Sequence, residues 1–408
     1  MRMNIWILNH YASTPDQPMT GAYYMAKALA ERRCRVSMFS SSFSYYKRKE
    51  IRLGFMRLWR REDIGGVRFV WIRTTPHGAG MLLRALNMVS YFFMSIFAGL
   101  AAREKPDVIV GTCPHLPAVL AAYILSVVKR CAFAFEVRDL WPQTFIDHGM
   151  LSGRGLITGL LFRLESFLYR RAMLISTVMP GAHEYIEGKG ISGSKIVWIP
   201  NGVDITQYTV PARCSRAADD AFLVMYLGGH SRYQGIDTIL NAAKILQDEE
   251  VSHVRFVLVG DGSEKPALIE YAKSLDLRNL EFRGPVPRSA VASCMSEASA
   301  LVFHLKRMDV IRYGISPNKL CDYMMSGKPI ICAVETRNNM VRDAEAGIAI
   351  PPEDAVAMAD AIRVLARMTA DERAMIGQRG VDHARRYLDV RILAEKYLHE
   401  MQSVTQGG

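Results

Sequence analysis

The strongest constraint on the fold is an alternation, along the whole chain, of short apolar runs with longer amphipathic segments. Short apolar runs bounded by turn residues are typical of buried strands, and the longer segments have helical periodicity. This alternation predicts an α/β protein in which helices cover both faces of parallel sheets. Because 408 residues exceed the roughly 250–300 at which single cores stop growing, we expect two doubly wound domains with ligand in a cleft at the carboxyl ends of the strands.

The predicted elements fall into two halves. Predicted strands are 4–8, 35–39, 67–72, 107–111, 132–137, 173–177 and 196–199 in the first half, and 222–227, 255–259, 280–283, 300–304, 330–333 and 348–350 in the second. Predicted helices are 21–32, 81–103, 155–171, 237–247, 287–296 and 354–368. Pro200-Asn201-Gly202 precedes a polar stretch, 209–220, with little periodicity. We therefore predict domains at 1–205 and 206–387.

Positive charge is concentrated in the first half of the chain. Residues 1–200 contain 26 Lys and Arg against 13 Asp and Glu, whereas the rest contains 25 against 27. The densest patch is 47–61, KRKEIRLGFMRLWRR, with aromatic residues beside it. Basic residues mixed with aromatics suit an anionic membrane face or a nucleic acid, and a solvated loop is the alternative.

Two segments are unusually apolar, 81–102 and 153–171. The first is long enough to raise the question of a membrane span, but Arg84, Asn87 and Ser95 interrupt it. Its place between strands favours a crossover helix. We expect most of each segment to be buried, with lipid contact by an outer face as a further hypothesis.

Composition argues against a disulfide-stapled or metal-binding protein. The seven cysteines form no CxxC pair and no His-Cys metal spacing, and their number is odd. They are typical of reduced thiols in a cytoplasmic protein. We expect no metal and no resident cofactor, and 1–9 is too short for a signal peptide.

The segment 313–329, YGISPNKLCDYMMSGKP, predicts a loop that runs into a short helix. Ser316 suits the N-cap and Pro317 the first turn. The amides of Asn318 and Lys319 then lie at the positive end of the helix dipole, where phosphate binds readily. Asp322, one turn further on, can accept from a sugar hydroxyl, so the segment favours a nucleotide-sugar. An ordinary capped helix is the alternative.

Glycine-rich turns follow three predicted strands of the second half. These are Gly228-Gly229-His230, 259–263 (VGDGS) and the strand end 280–286 (LEFRGPV). Glycine lets backbone amides approach a phosphate closely. With the helix at 316–325, these turns predict one shared nucleotide site.

Three segments resemble signature segments of glycosyltransferase family 4: IPNGVD at 199–204, LVGDGS at 258–263 and SPNKLCDYMMSGKP at 316–329. The resemblance implies a GT-B fold and sugar transfer with retention from a UDP-sugar. The segments 9–43 and 135–144 (FEVRDLWPQT) are similar to the L-fucosamine transferase-like subgroup. That similarity implies O-antigen or capsule synthesis, an N-acetylated amino or deoxyamino hexose, a polyprenyl-diphosphate-linked acceptor and a peripheral location on the inner face of the plasma membrane.

The resemblance also implies roles for individual residues. Asp322 matches the acid that holds the donor ribose, and the loop of Ser316, Pro317, Asn318 and Lys319 matches the one that meets the diphosphate. Gly260, Asp261 and Val286 match the nucleoside pocket, and Gly21 matches a glycine turn beside the diphosphate. The last helix, about 390–401 within 388–408, is expected to pack back on the first domain.

The chain departs from the family pattern at four positions. Gly314 replaces the first acid of the E-x7-E motif, Gly229 and Gln234 replace an Arg and a Lys, and Thr112 replaces a histidine, with His115 nearby. The diphosphate charge is then expected to be met by Lys319, by Arg232 and by helix amides, with Gly229 in the same turn.

Arg138 and Asp139, at the end of the predicted strand 132–137, are the catalytic candidates in the first half, with His115 and His10 as weaker ones. Asp139 could orient or deprotonate the acceptor hydroxyl, and Arg138 could bind an oxygen of the sugar or of the diphosphate. An Arg-Asp pair bracing the following loop is the alternative for these two, and each histidine has a purely structural alternative.

The favoured function is therefore a retaining glycosyltransferase. A UDP-sugar epimerase with the same two domains would need no lipid acceptor. A non-catalytic nucleic-acid-binding protein would bind with steep salt dependence, and it would leave the predicted phosphate site unexplained.

Overall fold

The computed structural model describes residues 2–17, 21–44, 48–78, 80–208 and 221–406. The chain divides into two compact units. Unit 1 comprises Met1–Pro200 and Val390–Gly408, and unit 2 comprises Asn201–Asp389. The division thus falls five residues before the position expected from the sequence. The polar stretch 209–220, with Cys214, lies outside the described residues.

Unit 1 is an eight-stranded sheet with helices on both faces, beside a two-stranded ladder. Its strands are β1 (Asn4–Leu8), β2 (Arg35–Ser41), β3 (Phe43–Ser44), β4 (Lys49–Glu50), β5 (Trp59–Ile64), β6 (Val67–Ile72), β7 (Val108–Cys113), β8 (Ala132–Val137), β9 (Leu174–Thr177) and β10 (Ile196–Trp198). Its helices are α1 (Gly21–Glu31), α2 (Met81–Ala101), α3 (Leu116–Lys129), α4 (Gln143–Asp147), α5 (Leu156–Arg171), α6 (Ala182–Glu187) and, returning from the end of the chain, α14 (Val390–Gln406).

The order of the large sheet is β10-β9-β8-β7-β1-β2-β6-β5. Its pairings are parallel except for β5 with β6. Strand order reverses between β1 and β7, and ligands bind in the crevice at such a switch point in open α/β sheets. Helices α1 and α14 pack on one face, whereas α2, α3 and α5 cover the other. Val390, Leu393 and Tyr397 of α14 belong to the buried core of this unit.

Unit 2 is a six-stranded parallel sheet in the order β13-β12-β11-β14-β15-β16. Its strands are β11 (Phe222–Leu227), β12 (Val254–Val259), β13 (Leu280–Arg283), β14 (Ala300–His304), β15 (Ile330–Ala333) and β16 (Gly347–Ile350). Its helices are α7 (Ile236–Asp248), α8 (Lys265–Ser274), α9 (Val291–Ser296), α10 (Asn318–Met325), α11 (Met340–Asp343), α12 (Ala355–Arg367) and α13 (Ala370–Tyr387). The strand order reverses between β11 and β14, so this unit also has a switch point. The prediction of two doubly wound α/β domains is confirmed.

The structure corrects the sequence reading at the edge of unit 1. The segment that follows β2 forms the short ladder of β3 with β4, and β5 adds an antiparallel edge strand, none of which was predicted. Strand β5 has the sequence WRREDI, with charged side chains along much of its length. Charge on an edge strand prevents pairing with other chains, and it also hides the alternation that identifies a strand.

Helix α2 is the crossover between β6 and β7, where the sequence placed it. One side of it packs on α3 and β6, and Asn87, Tyr91 and Ser95 are among its buried residues. The other side is exposed, including Leu82 and Phe97. Of the described helices, α2 is the one long and apolar enough to cross a membrane by length and composition.

Candidate active site

The glycine turns of unit 2 meet at the carboxyl edge of its sheet. Gly260 follows β12 with a φ of +142°, and a Cβ built there would lie 1.9 Å from the carbonyl oxygen of Gly228, which follows β11. Only glycine permits that approach. The His230 amide donates to the carbonyl oxygen of Asp261 at 2.8 Å, which ties the two turns together. The glycines after β11 and β12 therefore let the two turns pack closely together at the carboxyl edge of the sheet, and their role in ligand binding stays a prediction.

Helix α10 begins at Asn318, and its N-cap is Pro317, which makes no side-chain capping bond. The prediction that Ser316 caps this helix is therefore wrong. Instead, the Ser316 hydroxyl accepts from the Asn201 amide at 2.8 Å, and the Asn201 side chain donates to the Ser316 carbonyl. Ser316 thus ties the loop before α10 to the start of unit 2, and the amides of the first turn remain at the open end of the helix.

Lys319 lies on the first turn of α10 and faces the glycine turn after β11. Its Nζ donates to the Tyr226 hydroxyl at 2.9 Å and to Oε1 of Gln234, and it lies 4.6 Å from the centroid of the Tyr226 ring. Burial lowers the pKa of Lys319 to about 7. A partly buried ammonium with neutral partners is suited to receive an anion, because the anion restores the charged form. Gln234, where the family has a lysine, here accepts from Lys319.

Asp322 is buried one turn later and is held by two residues that the sequence did not identify. Arg288 binds both carboxylate oxygens, at 2.5 and 2.7 Å, and the Tyr208 hydroxyl donates to Oδ1 at 2.5 Å. The carboxylate is therefore paired when no ligand is bound. A sugar hydroxyl must displace or share these donors.

The other predicted donor residues lie around the same edge, with one exception. Asp261 and Arg232 are exposed, Val286 is partly buried after β13, and the Gly229 carbonyl accepts from the Tyr226 hydroxyl at 2.7 Å. Gly21 is in unit 1 instead, as the first residue of α1. The loop 18–20 before it lies outside the described residues.

Unit 1 contains a cavity of about 850 Å³ at its own switch point. His10 follows β1 and Asp139 follows β8, and both side chains line the cavity together with Trp141 and Thr144. Arg52 and Arg84 are in its wall as well. The cavity therefore combines a carboxylate, ring nitrogens and two cations at the position where an open α/β sheet binds its ligand.

His10 and His115 are bonded to each other, with 2.8 Å between His10 Nδ1 and His115 Nε2. His115 Nδ1 accepts from the Ala118 amide and so caps α3, which leaves the proton on its Nε2 and makes His10 Nδ1 the acceptor. Burial lowers the pKa of His115 to about 3, and burial with repulsion from His115 lowers the pKa of His10 well below its ordinary value. Both rings are therefore neutral at pH 7. His115 is fully buried and lies behind the lining residues His10 and Tyr11, whose rings it contacts.

Asp139 has the strongest geometry for catalysis in this unit. The Thr144 hydroxyl donates to its Oδ1, and burial raises its pKa to about 6. A carboxylate with a pKa near the working pH is well matched to accept a proton. Arg138 instead pairs with Glu136 at 3.1 Å, and Glu136 also accepts from Thr112 at 2.7 Å. The alternative, in which Arg138 pairs with Asp139 to brace the following loop, is therefore wrong, because Arg138 pairs with Glu136.

Sequence reasoning missed Arg288, Tyr208 and Tyr226. Arg288 lies two residues after Val286, in a helical turn, and the pattern there gave no sign of a site residue. Tyr208 follows the IPNGVD segment, which was the available signal. Among the residues that the structure describes, no group of three His, Cys, Asp or Glu side chains is placed to hold a metal ion.

Two family models match the chain and together span most of it. The glycosyl transferase 4-like domain matches residues 19–202, and the model described as glycosyl transferases group 1 matches residues 221–368. The chain is 24% identical over 324 residues to the putative colanic acid biosynthesis glycosyl transferase WcaI of Escherichia coli K12, covering 75% of this chain and 78% of that protein.

Solved structures match the whole fold. Sucrose-phosphate synthase from Thermosynechococcus elongatus aligns with a TM-score of 0.76 at 17% identity over 100% of both chains. Anabaena HepE, solved with UDP and glucose, aligns with a TM-score of 0.70 at 17% identity, over 98% of this chain and 100% of that one. At these identities the likeness shows the fold. The residue ranges of the two family models correspond to the two units of the structure. The chain therefore belongs to the group 1, family 4-like glycosyltransferases and has their GT-B fold.

Proposed function

We propose that this glycosyltransferase moves a sugar from UDP to a lipid-linked acceptor, with retention, during synthesis of a surface polysaccharide at the inner face of the plasma membrane. The observation that supports donor binding is the carboxyl edge of the unit 2 sheet, where Lys319 on the first turn of α10 lies close to the glycine turn after β11. The similarity to WcaI, a putative colanic acid biosynthesis glycosyl transferase, supports the pathway class, and the similarity to HepE, solved with UDP and glucose, supports the nucleotide.

In this mechanism, the bond between the anomeric carbon and the diphosphate breaks while negative charge develops on the leaving oxygen. Lys319 and the α10 amides stabilise that charge. Retention is explained when the leaving diphosphate guides the acceptor hydroxyl to the same face of the sugar. The protein then needs no nucleophile, and Asp139 serves to orient and deprotonate the hydroxyl.

The donor assignment predicts that Asp322→Ala weakens UDP binding by about 10–100-fold, because hydrogen bonds from ribose hydroxyls to a carboxylate are lost. Calorimetric titration of UDP, GDP and ADP into the wild type and the variant measures this. UDP is expected to bind and the other two to bind weakly. If GDP or ADP binds instead, the donor class is wrong, and if none binds, the enzyme hypothesis fails.

Arg288→Gln is the matched control for that titration. If Asp322 matters only through its pair with Arg288, breaking the pair from either side should abolish UDP binding equally. If Asp322 contacts the ribose, Arg288→Gln retains or strengthens UDP binding, because a competitor for the carboxylate is gone. Thermal unfolding of both variants shows how much the pair contributes to stability.

The membrane assignment rests on the basic segment and the apolar tip within it. Phe55 and Met56 are 93% and 86% exposed, and Arg57 follows them. Arg48 and Lys49 are exposed as well, whereas Arg52 pairs with Asp16 at 2.9 Å. Lys47 lies outside the described residues. An exposed basic and apolar tip suits an anionic bilayer.

Replacing Arg48, Lys49 and Arg57 with glutamine is expected to weaken binding to phosphatidylglycerol vesicles by about 10²-fold at low salt, because each cation contributes roughly 1 kcal/mol. Vesicle sedimentation measures the effect. A matched triple in unit 2, Arg255, Lys273 and Arg278 to glutamine, removes the same charge and should change little. Equal effects of the two triples would mean that net charge alone, and not this segment, drives binding.

The two alternatives make different predictions. An epimerase would convert a UDP-sugar with no acceptor present, so product analysis without acceptor distinguishes it. A nucleic-acid-binding protein would leave the Lys319 and Asp322 arrangement without a ligand. The donor-edge geometry therefore argues against the nucleic-acid-binding alternative, and product analysis without acceptor decides between the two enzymes.

A further inference from the structure

The cavity of unit 1 is lined by two chemically different sets of residues. The polar end is formed by Asp139, Trp141 and Thr144, which follow β8. The first halves of α2 and α5 form a largely apolar end, with Arg84 of α2 as its charged member. Met81, Ala85 and Met88 line it from α2, at helical spacings of four and three, and Ile157 and Leu161 line it from α5, four residues apart. Residues at these spacings share one helix face, so two helix faces form the walls of a groove.

The groove is open to the outside. Met81 and Ile157 line the cavity and are nevertheless 65% and 67% exposed. Beside them, Leu82 and Leu156 are 74% and 90% exposed. Exposed apolar residues on both helices therefore adjoin the residues that line the cavity. Contiguous exposed apolar surface marks a binding site for an apolar group.

The polar end has an unsatisfied donor. Trp141 is 8% exposed and lines the cavity, and its indole Nε1 is buried without a hydrogen-bond partner in the described part of the chain. A buried N–H without an acceptor is costly, and a ligand oxygen at this position would satisfy it. Arg84 adds a positive charge to the cavity wall from α2, whereas Arg52, also in the wall, is paired with Asp16 at 2.9 Å. The cavity thus suits an amphiphile with an anionic, oxygen-rich head and an apolar tail.

We infer that the groove between α2 and α5 holds the first isoprenoid units of the acceptor's lipid carrier, with its diphosphate in the same cavity near Trp141. This inference rests on the proposed function, and it adds that the enzyme binds the tail itself and not only the sugar and phosphates. The tail enters between two helices whose outer residues are already apolar, so the lipid need not leave an apolar environment completely. Acceptors without the tail bind weakly for that reason.

Binding of farnesyl diphosphate and of inorganic diphosphate to the full chain tests the inference, with both ligands titrated by calorimetry below the micelle-forming concentration. Farnesyl diphosphate is expected to bind at least about tenfold more tightly, because burial of even a few CH₂ groups is worth that much. Equal affinities for the two ligands would overturn the inference.

Two alanines of α2 provide matched variants. Ala85 and Ala101 are both exposed, but only Ala85 lines the groove. Ala85→Trp fills the groove and is expected to remove most of the preference for farnesyl diphosphate, while Ala101→Trp retains it. If both variants lose the preference, or neither does, the tail does not lie in this groove.

Trp141→Phe separates the head from the tail. It keeps an aromatic ring and removes the N–H, so the affinity for both ligands should fall by a similar factor of about 3–10, with the preference for farnesyl diphosphate unchanged. UDP titration of the same samples keeps the two proposals apart. If the wild type does not bind UDP, the transferase proposal is wrong. Selective binding of farnesyl diphosphate would still show that the groove binds an isoprenoid tail.

Discussion

Replacing Lys319 with methionine is expected to lower kcat/KM for sugar transfer by about 10²–10³-fold, the usual cost of removing one preorganised charge from a transition state. The reason is specific to this chain. By the family resemblance, Gly229 and Gln234 replace two cations. Among the described residues, Lys319 then supplies positive charge at the end of β11, where its Nζ contacts Gln234 and Tyr226. UDP release from a panel of UDP-N-acetylhexosamines measures the rate. Lys319→Arg should keep more of the rate than Lys319→Met, because the guanidinium restores the positive charge but has a different geometry from the ammonium.

The pH dependence of donor binding tests the same residue independently. The pKa of Lys319 is about 7 without ligand, and a bound diphosphate favours the charged form. Affinity for UDP-glucose, whose diphosphate does not titrate here, should be constant below pH 7 and should weaken as the pH rises above 7, where binding must take up a proton. Lys319→Met should abolish this dependence. An unchanged profile in the variant would show that Lys319 does not meet the diphosphate.

The sequence predicted those parts of the molecule that local patterns determine. The bounds of β11, β13, β14 and β15 were predicted correctly, because each is an apolar run between turn residues. The glycine turns after β11 and β12 were identifiable for a similar reason, since their backbone geometry requires glycine. The charged edge strand β5 was missed, because exposure on an edge removes the apolar signal.

Pairing between distant residues was not predictable from local patterns. Arg288 and Asp322 are 34 residues apart. The sequence near either position gives no sign that the Arg288 guanidinium donates to the Asp322 carboxylate. Ser316 was misread because a serine before a helical proline suits an N-cap, whereas its hydroxyl is used by Asn201, over 100 residues away in the sequence. Arg138 was predicted as a catalytic candidate, with a pair to Asp139 as the alternative, whereas its guanidinium pairs with Glu136. Tertiary contacts decide such choices after the elements have formed.

Asp139→Asn is expected to lower kcat by about 10²–10⁴-fold, the range for loss of a general base. The carboxylate must be ionised to accept the hydroxyl proton. Because its pKa is about 6, wild-type kcat should rise with pH through 6 and level off above 7. The variant should lose this acid limb. A pH–kcat series with saturating donor and acceptor measures both effects.

Thr144→Val supplies the matched control, because it removes the hydroxyl that donates to Asp139 and keeps the shape of the side chain. That hydrogen bond favours the ionised form, so its loss should move the acid limb to higher pH while leaving the plateau rate within several-fold of the wild type. A structural role for Asp139 would not produce such a shift.

Asp139→Asn is expected to lower activity but to raise the thermal stability of the protein at pH 7. Burial raises the folded-state pKa of Asp139 above its value in the unfolded chain, so protonation below pH 6 stabilises the fold and ionisation at pH 7 costs stability. The neutral amide that replaces the carboxylate removes that cost, and Asp139→Asn should unfold about 2–4 °C above the wild type at pH 7. The difference should be smaller at pH 5 and should disappear only below about pH 4, where the carboxyl of the unfolded chain is protonated as well. A residue whose replacement abolishes turnover and stabilises the protein is kept for its chemistry. If Asp139→Asn instead destabilises the protein at both pH values, the carboxylate braces the loop after β8, and the base must be sought elsewhere in the cavity.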